Sequence, residues 1–259
     1  MDKLTIVKVG GKIVEEEHSL TQLLNDFSTI SGNKILVHGG GRSATAIAAR
    51  LGIESKMVDG RRITDKEMLE VVTMVYGGLV NKQIVAGLQA KGCNASGFCG
   101  ADMDIIRSVK RPVKEIDYGY VGDVVDVNTS ELRLLLEQGV SPVIAPLTHN
   151  GKGVLLNTNA DTIASELAMA LAKYFSVHLI YCFEKNGVLS NPDDDNSVIH
   201  YIDPALYQQY KSEGVISEGM IPKLDNAFRA LNSGVAEVQI TNANNLTRHN
   251  ARGTVLKLS

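Results

Sequence analysis

Short runs of β-branched and aliphatic residues alternate along this chain with longer stretches whose apolar positions recur every three or four residues, the pattern of strands alternating with amphipathic helices. Residues 4–9 read as a buried strand stopped by Gly10-Gly11, and Leu20, Leu23, Leu24, Phe27 and Ile30 predict a helix over 16–30 that Gly32-Asn33 ends. The unit then repeats: residues 35–37 form a strand, 38–41 a glycine turn, and 43–51 a helix closed by Gly52. Two such units in succession predict a parallel sheet with crossover helices.

From 64 to 91 the spacing of Met68, Val71, Val72, Val75, Leu79, Ile84 and Leu88 is helical, with a capping box at Thr64 and Glu67 and a weak point at Gly77-Gly78. Residues 94–127 read as hairpins covering one end of the sheet. Downstream the pattern predicts a helix over 131–138, a strand at 142–145, a hairpin carrying Gly151 and Gly153, and a helix marked by Ile163, Leu167, Ala170 and Leu171. A strand at 177–182, an acidic loop at 191–196, helices over 205–213 and 220–233 and a strand at 237–241 follow. No repeat or linker interrupts the series. The expectation is a single domain over 1–259, a three-layer α/β/α sandwich around a central, mainly parallel sheet, with two lobes over about 1–172 and 173–259.

Composition narrows the functional classes. With 259 residues, 44% of them hydrophobic, and 26 Lys+Arg against 29 Asp+Glu, the chain is neither disordered nor collagen-like. A net charge of −3 supplies no broad basic field for nucleic acid or an anionic membrane, so the expected partners are small molecules. Cys93, Cys99 and Cys182 are an odd set without C-x-x-C spacing, which points away from disulfides and zinc and toward reduced thiols. No unbroken apolar run approaches the roughly 20 residues of a membrane span, and Lys8 and two glycines break the first strand's apolar stretch, unlike a signal peptide. A cytoplasmic protein is expected.

Candidate chemistry concentrates beyond the carboxyl ends of the predicted strands, where open parallel sheets bind ligands. Gly10 and Gly11 after the first strand, and Gly39, Gly40 and Gly41 after the second, leave backbone N–H groups unshielded and able to approach an anion closely. Lys8 lies in an otherwise apolar strand, a placement that calls for an anionic partner. Lys223, in the first turn of a predicted helix, opposes the helix dipole unless an anion compensates it. Gly39-Gly-Gly-Arg-Ser-Ala44 with Asp59 also fits a degenerate dinucleotide fingerprint, the alternative enzyme class, whereas no P-loop motif is present. The run Asp193-Asp194-Asp195 reads as a solvated loop rather than a metal site.

Six segments occur in a telling order: Lys8-Val-Gly-Gly11, His38-Gly-Gly-Gly41, Gly60-Arg-Arg-Ile-Thr64, Gly119-Tyr-Val-Gly122 with Val127-Asn128, Asn157-Thr-Asn-Ala-Asp161 and Gly219-Met-Ile-Pro-Lys223. Together they resemble the amino acid kinase family over nearly the whole chain. The resemblance implies transfer of the γ-phosphoryl group of ATP to the side-chain carboxylate of an N-acylated L-glutamate such as N-acetyl-L-glutamate, an early step of arginine biosynthesis through acylated intermediates. It also implies roles: Lys8 and Lys223 neutralise the transferring and leaving groups, Asp161 orients both, Gly11 and Gly40 donate N–H groups, and Gly41 and Asn159 help to form the substrate pocket. Arg62 grips the α-carboxylate and Asn157 meets the acylamino group. Gly10, Glu184, Asn186, Gly187, Gly219 and Met220 border ATP, with Mg²⁺ held mainly by the nucleotide phosphates.

The chain departs from the family's usual pattern at Phe183-Glu184, where a small residue and an aspartate are common. His38 is expected to pack at its strand end, since a carboxylate nucleophile needs no general base. A succinyl in place of an acetyl group would add a carboxylate for Arg42, Lys110, Arg111 or Lys114 to meet. The same resemblance, with the first strand beginning by residue 4, predicts a homodimer insensitive to arginine, with contacts on the 66–90 helix. A metabolite-sensing module without catalysis is the other class, disfavoured by the intact Lys8, Asp161 and Lys223.

Overall fold

The computed structural model describes residues 1–58, 61–216, 220–247 and 253–258. In chain order the N-terminal half contains β1 (Lys3–Val9), α1 (Gly11–Glu15), α2 (Glu17–Thr29), β2 (Asn33–His38), α3 (Gly41–Arg50), β3 (Met57–Val58), β4 (Arg61–Arg62), α4 (Lys66–Val72), α5 (Asn81–Gln89) and β5 (Ala95–Phe98). There follow β6 (Ile106–Lys110), β7 (Gly122–Val127), α6 (Thr129–Glu137), β8 (Ser141–Ile144), β9 (Leu147–His149), β10 (Leu155–Asn157) and α7 (Ala160–Leu171). The remainder comprises β11 (Ser176–Phe183), β12 (Tyr201–Ile202), α8 (Pro204–Ser212), α9 (Ile221–Asn232), β13 (Glu237–Asn242) and β14 (Gly253–Leu256).

Eight strands form the central sheet in the order β12-β14-β13-β11-β1-β2-β8-β5. Every neighbouring pair is parallel except β13 with β14. β1 is therefore interior to the sheet, flanked by β11 and β2, and both its faces must be covered. Side-chain alternation divides it cleanly: Leu4 and Ile6 enter one core with Leu167 of α7 and Leu224 of α9, while Val7 and Val9 enter a second core with Leu23 of α2 and Val75. Lys8 shares the parity of Leu4 and Ile6, so it emerges on the face covered by α7 and α9. This is the expected three-layer α/β/α sandwich.

Several local expectations change. Gly10-Gly11 does not make a free turn, because α1 starts directly at Gly11. The 64–91 helix exists, but residues Thr73–Val80 are wound as a π-helix around Gly77-Gly78. Its cap is Asp65 rather than a Thr64/Glu67 box: the Asp65 carboxylate accepts from the Met68 N–H at 2.8 Å, while the Thr64 hydroxyl donates to Arg62 O. Within 94–127, β6 and β7 form the expected hairpin, but β5 joins the central sheet as its edge strand beside β8. The short strands β12 and β14 had too little periodicity to be read.

The 24-residue span Lys66–Gln89 is, among the described residues, the one helical stretch long and apolar enough to cross a membrane. Its Met68, Val71, Val72, Val75, Ile84 and Leu88 are buried against the β1–β2 face of the sheet, which accounts for its apolarity. If Asp65 is the working cap, Asp65→Ala should destabilise the protein by about 1 kcal/mol in urea unfolding, while Glu67→Gln stays within about 0.5 kcal/mol.

Candidate active site

Lys8, one residue before the end of β1, is 9% exposed, and its Nζ lies 2.8 Å from Asp161 Oδ1. Asp161 sits in the first turn of α7, whose cap is Asn159: the Asn159 side-chain oxygen accepts from the Thr162 N–H at 3.1 Å. That cap fixes where α7 begins, and so holds the carboxylate over the end of β1. Lys223 enters from the first turn of α9, with its Nζ 4.7 Å from the centre of the Phe183 ring. Burial raises the pKa of the Asp161 carboxyl, but the charges of Lys8 and Lys223 outweigh it and hold the group below the usual carboxylate range. Burial lowers the pKa of Lys223, with repulsion from Lys8 in the same direction and attraction from Asp161 and Glu184 opposing it. Two lysines from different parts of the chain thus converge on one carboxylate, leaving a net positive site.

Beside them the two glycine turns touch backbone to backbone. A Cβ on Gly39 would lie 3.0 Å from Gly11 N, and one on Gly11 would lie 3.3 Å from Gly40 N. Gly40 also has φ +153°, in the region favouring glycine, with Tyr76 packed where its side chain would go. Gly10 and Gly39 donate their N–H groups to Cys182 O and Val9 O, both at 3.1 Å. The expected nucleotide contact of Gly10 therefore has no free N–H behind it. Gly11, Gly40 and Gly41, by contrast, present theirs at helix starts. Glu15 Oε1 accepts from the Ser43 N–H at 2.6 Å and ties α1 to α3.

Below the turns lies a cavity of about 180 Å³ lined by Gly39, Gly40, Gly41, Arg62, Asn157 and Asn159 among others. Arg62 is 7% exposed; its Nη1 donates to Ser55 Oγ at 2.7 Å and its Nη2 to Gly41 O at 2.8 Å and Thr45 Oγ1 at 2.9 Å. These bonds fix a buried positive charge in the cavity wall. Asn157 Nδ2 donates to Thr64 Oγ1 at 3.0 Å. Residues 118–121 bind the two walls together: Thr64 N donates to Tyr118 O, Tyr120 N to Thr64 O and Asn157 N to Tyr120 O. Gly119 has φ +71°, and a Cβ there would lie 2.2 Å from Thr64 O, which explains the glycine in that motif.

On the other side of Lys8, Glu184 pairs with Lys12 at 3.1 Å and faces Arg42 at 4.0 Å. Arg42 thus stands by Glu184 and does not line the cavity. Sequence reading missed Lys12, whose signal was its place immediately after the glycine pair. Asn186 accepts from Asn245 Nδ2 at 3.5 Å, and Gly187 gives room to Thr254 of β14. Met220 stands at the cap position before α9, its carbonyl accepting from Lys223 N at 3.0 Å. Gly219, Gly60 and Asp59 lie outside the described residues. The acidic loop is closed by its own bonds: Lys185 pairs with Asp195 at 2.7 Å, and Asp194 accepts from Asn196 N.

Two lysines facing one carboxylate thus stand beside a polar cavity whose wall holds a buried arginine. Residues 3–242 match the model of the amino acid kinase family. The chain belongs to that family. It is 68% identical over 240 residues to acetylglutamate kinase of Bacteroides thetaiotaomicron, covering 93% of each chain. It is 64% identical over 256 residues to acetylglutamate kinase of Phocaeicola vulgatus, covering 99% of each. Among solved structures, the smu.665 protein of Streptococcus mutans superposes with a TM-score of 0.79 at 27% identity, with 99% of each chain covered.

His38 is fully buried at the end of β2, where its Nδ1–H donates to Gly39 O at 2.7 Å and its Nε2 accepts from Asn81 Nδ2 at 3.1 Å. These bonds suit a neutral ring, and burial pushes its pKa down to about 4, so it holds the glycine loop instead of moving protons. Because the unfolded ring takes up a proton near pH 6.5 and the folded ring does not until about 4, stability is full above pH 6.5 and falls as pH drops toward 4. Urea unfolding at pH 7 and 4.5 should show His38 contributing about 2 kcal/mol of the loss, and His38→Gln should reduce the pH dependence by that amount.

Proposed function

We propose that the protein transfers the γ-phosphoryl group of ATP to the γ-carboxylate of N-acetyl-L-glutamate, the substrate named by its relatives, giving an acyl phosphate for arginine biosynthesis. The observation that carries this reading is the convergence of Lys8, Asp161 and Lys223 beside the cavity walled by Arg62 and Asn157. Two anions must meet in line, so the chemistry depends on positioning and positive charge. The carboxylate is already a nucleophile; as its oxygen bonds to the γ-phosphorus, the bond to the β,γ-bridging oxygen breaks and ADP leaves. Lys8 and the N–H groups of Gly11 and Gly40 face the transferring group, and Lys223 faces the leaving phosphate. Asp161 keeps both lysines aimed without itself taking a proton, since it stays ionised.

Gly41, Arg62, Asn157 and Asn159 bound the acylglutamate, and Glu184, Asn186, Gly187 and Met220 border the nucleotide. Mg²⁺ bound to the ATP phosphates lowers their charge. Glu184 is paired with Lys12. In this reading residues 1–172 bind the acylglutamate and 173–259 bind ATP, and the protein works in the cytoplasm as a homodimer. Support for the dimer comes from Met74 and Leu79, apolar side chains left 55% and 47% exposed on the 66–89 helix.

Hydroxylamine trapping with Mg·ATP should yield hydroxamate from N-acetyl-L-glutamate and not from L-glutamate. Absence of product from a folded preparation would refute the assignment and favour a sensing role. Lys8→Met and Lys223→Met should each lower kcat by roughly 10²–10³-fold, with circular dichroism unchanged. Light scattering should report a dimer, and Met74→Glu with Leu79→Glu should convert it to monomer.

A further inference from the structure

The Tyr76 hydroxyl is a polar group of the cavity that phosphoryl transfer itself does not need. Its side chain is 5% exposed and lines the cavity beside Gly39, Gly40, Gly41 and Arg62. Tyr76 belongs to the Thr73–Val80 segment, wound as a π-helix, a form that is rare inside helices and concentrates at functional sites. That turn packs on the glycine loop: a Cβ on Gly40 would lie 3.1 Å from Tyr76 Cδ1 and 3.4 Å from Val80 Cγ2. The ring thus abuts the loop, and the hydroxyl reaches the Arg62 guanidinium. Burial raises the pKa of the phenol, against the pull of the Arg62 charge and with Glu15 adding to it, so the hydroxyl keeps its proton at neutral pH. An arginine can only donate, so the Tyr76 O–H is left as a donor facing the cavity.

Arg62 is the buried arginine of this cavity, and its terminal nitrogens are committed to the protein. Nη1 turns to Ser55 Oγ at 2.7 Å and Met68 Sδ at 3.9 Å, and Nη2 to Gly41 O at 2.8 Å and Thr45 Oγ1 at 2.9 Å. Arg62 therefore offers a ligand its charge, while the two-pronged grip that its terminal nitrogens could give a carboxylate is already used. A carboxylate drawn to that charge needs a directional donor from elsewhere, and Tyr76 stands beside Arg62 with one to give. An N-acyl-L-glutamate carries two carboxylates. Its γ-carboxylate must face Lys8 to be phosphorylated, which leaves the α-carboxylate for the buried charge of Arg62.

We infer that Tyr76 is a specificity-determining residue of this site: its O–H donates to one oxygen of the substrate's α-carboxylate beside Arg62, and the π-helical turn holds it there. The inference rests on the acylglutamate kinase reading and adds a binding residue to it. The γ-carboxylate remains the nucleophile, and the bonds made and broken are unchanged.

The test compares wild type with Tyr76→Phe, which removes the hydroxyl and keeps the ring against Gly40, on two substrates by ADP release. One is N-acetyl-L-glutamate; the other is 4-acetamidobutanoate, the same molecule without the α-carboxylate. Tyr76→Phe should raise KM for N-acetyl-L-glutamate by roughly tenfold, the loss of one hydrogen bond to a charged group, with kcat and KM for ATP unchanged. On 4-acetamidobutanoate the two proteins should have the same kcat/KM, because the group that Tyr76 recognises is gone. Tyr76→Leu, which keeps apolar bulk at the glycine loop without a hydroxyl, should show the same split and decides the matter if the phenylalanine variant does not fold. An unchanged KM for N-acetyl-L-glutamate overturns the inference and leaves the kinase reading standing. An equal loss on both substrates also overturns it, since Tyr76 would then support the loop without reading the carboxylate. No turnover of N-acetyl-L-glutamate by folded wild type overturns both.

Discussion

Everything at this site depends on a lysine that the fold places where a lysine is least at home. Lys8 lies on an interior strand with neighbours on both edges and helices on both faces. A charge there needs a partner, and Asp161 at 2.8 Å provides it. The pair fixes the start of α7 against the end of β1. Lys223 brings a second positive charge toward the same carboxylate, so Asp161 remains ionised although it is buried. The surplus positive charge suits the site to phosphoryl groups and makes it a poor fit for a neutral ligand.

The glycine turns follow from a second constraint, the closeness of two backbones. Where β1 and β2 end side by side, the turns leave only about 3 Å between a Gly39 Cβ and Gly11 N, and no side chain larger than hydrogen fits between them. His38 fastens this contact from beneath. Its ring is buried and neutral, bonded to Gly39 O and Asn81, and Asn81 also donates to Val143 O of the next strand. A histidine beside a glycine loop invites assignment as a base, yet here its burial and bonds make it a structural strut.

Phe183 illustrates how a departure from a motif can be compensated. The phenyl ring lacks the hydroxyl of the small residue more usual there, but its face lies 4.7 Å from Lys223 Nζ and helps to seat that ammonium. Glu184 is held by Lys12, and Arg42 stands near it, so this carboxylate organises cations from α1 and α3.

The alternation of strand, glycine and helix was readable because β1, β2, β11, α2, α7 and α9 each carry a periodicity that burial on one or both faces demands. Even the side of the sheet on which Lys8 emerges followed from its parity with Leu4 and Ile6. Lys8 was visible as a lysine in an apolar strand, whereas Asp161, Arg62 and Asn157 were singled out only by the resemblance of their segments to the amino acid kinase family. What the chain could not reveal by itself was any arrangement set by long-range contact. Asp65 displaced the expected capping box, and β5 left its hairpin for the edge of the central sheet, because hydrogen-bond geometry decides between neighbours that are equally plausible in sequence. Arg61 and Arg111 are 50 positions apart and line one cavity only because the 118–121 segment draws β4 and the β6–β7 hairpin together. Local chemistry thus determined the elements and the glycine turns, and only the tertiary structure decided which cations line one cavity.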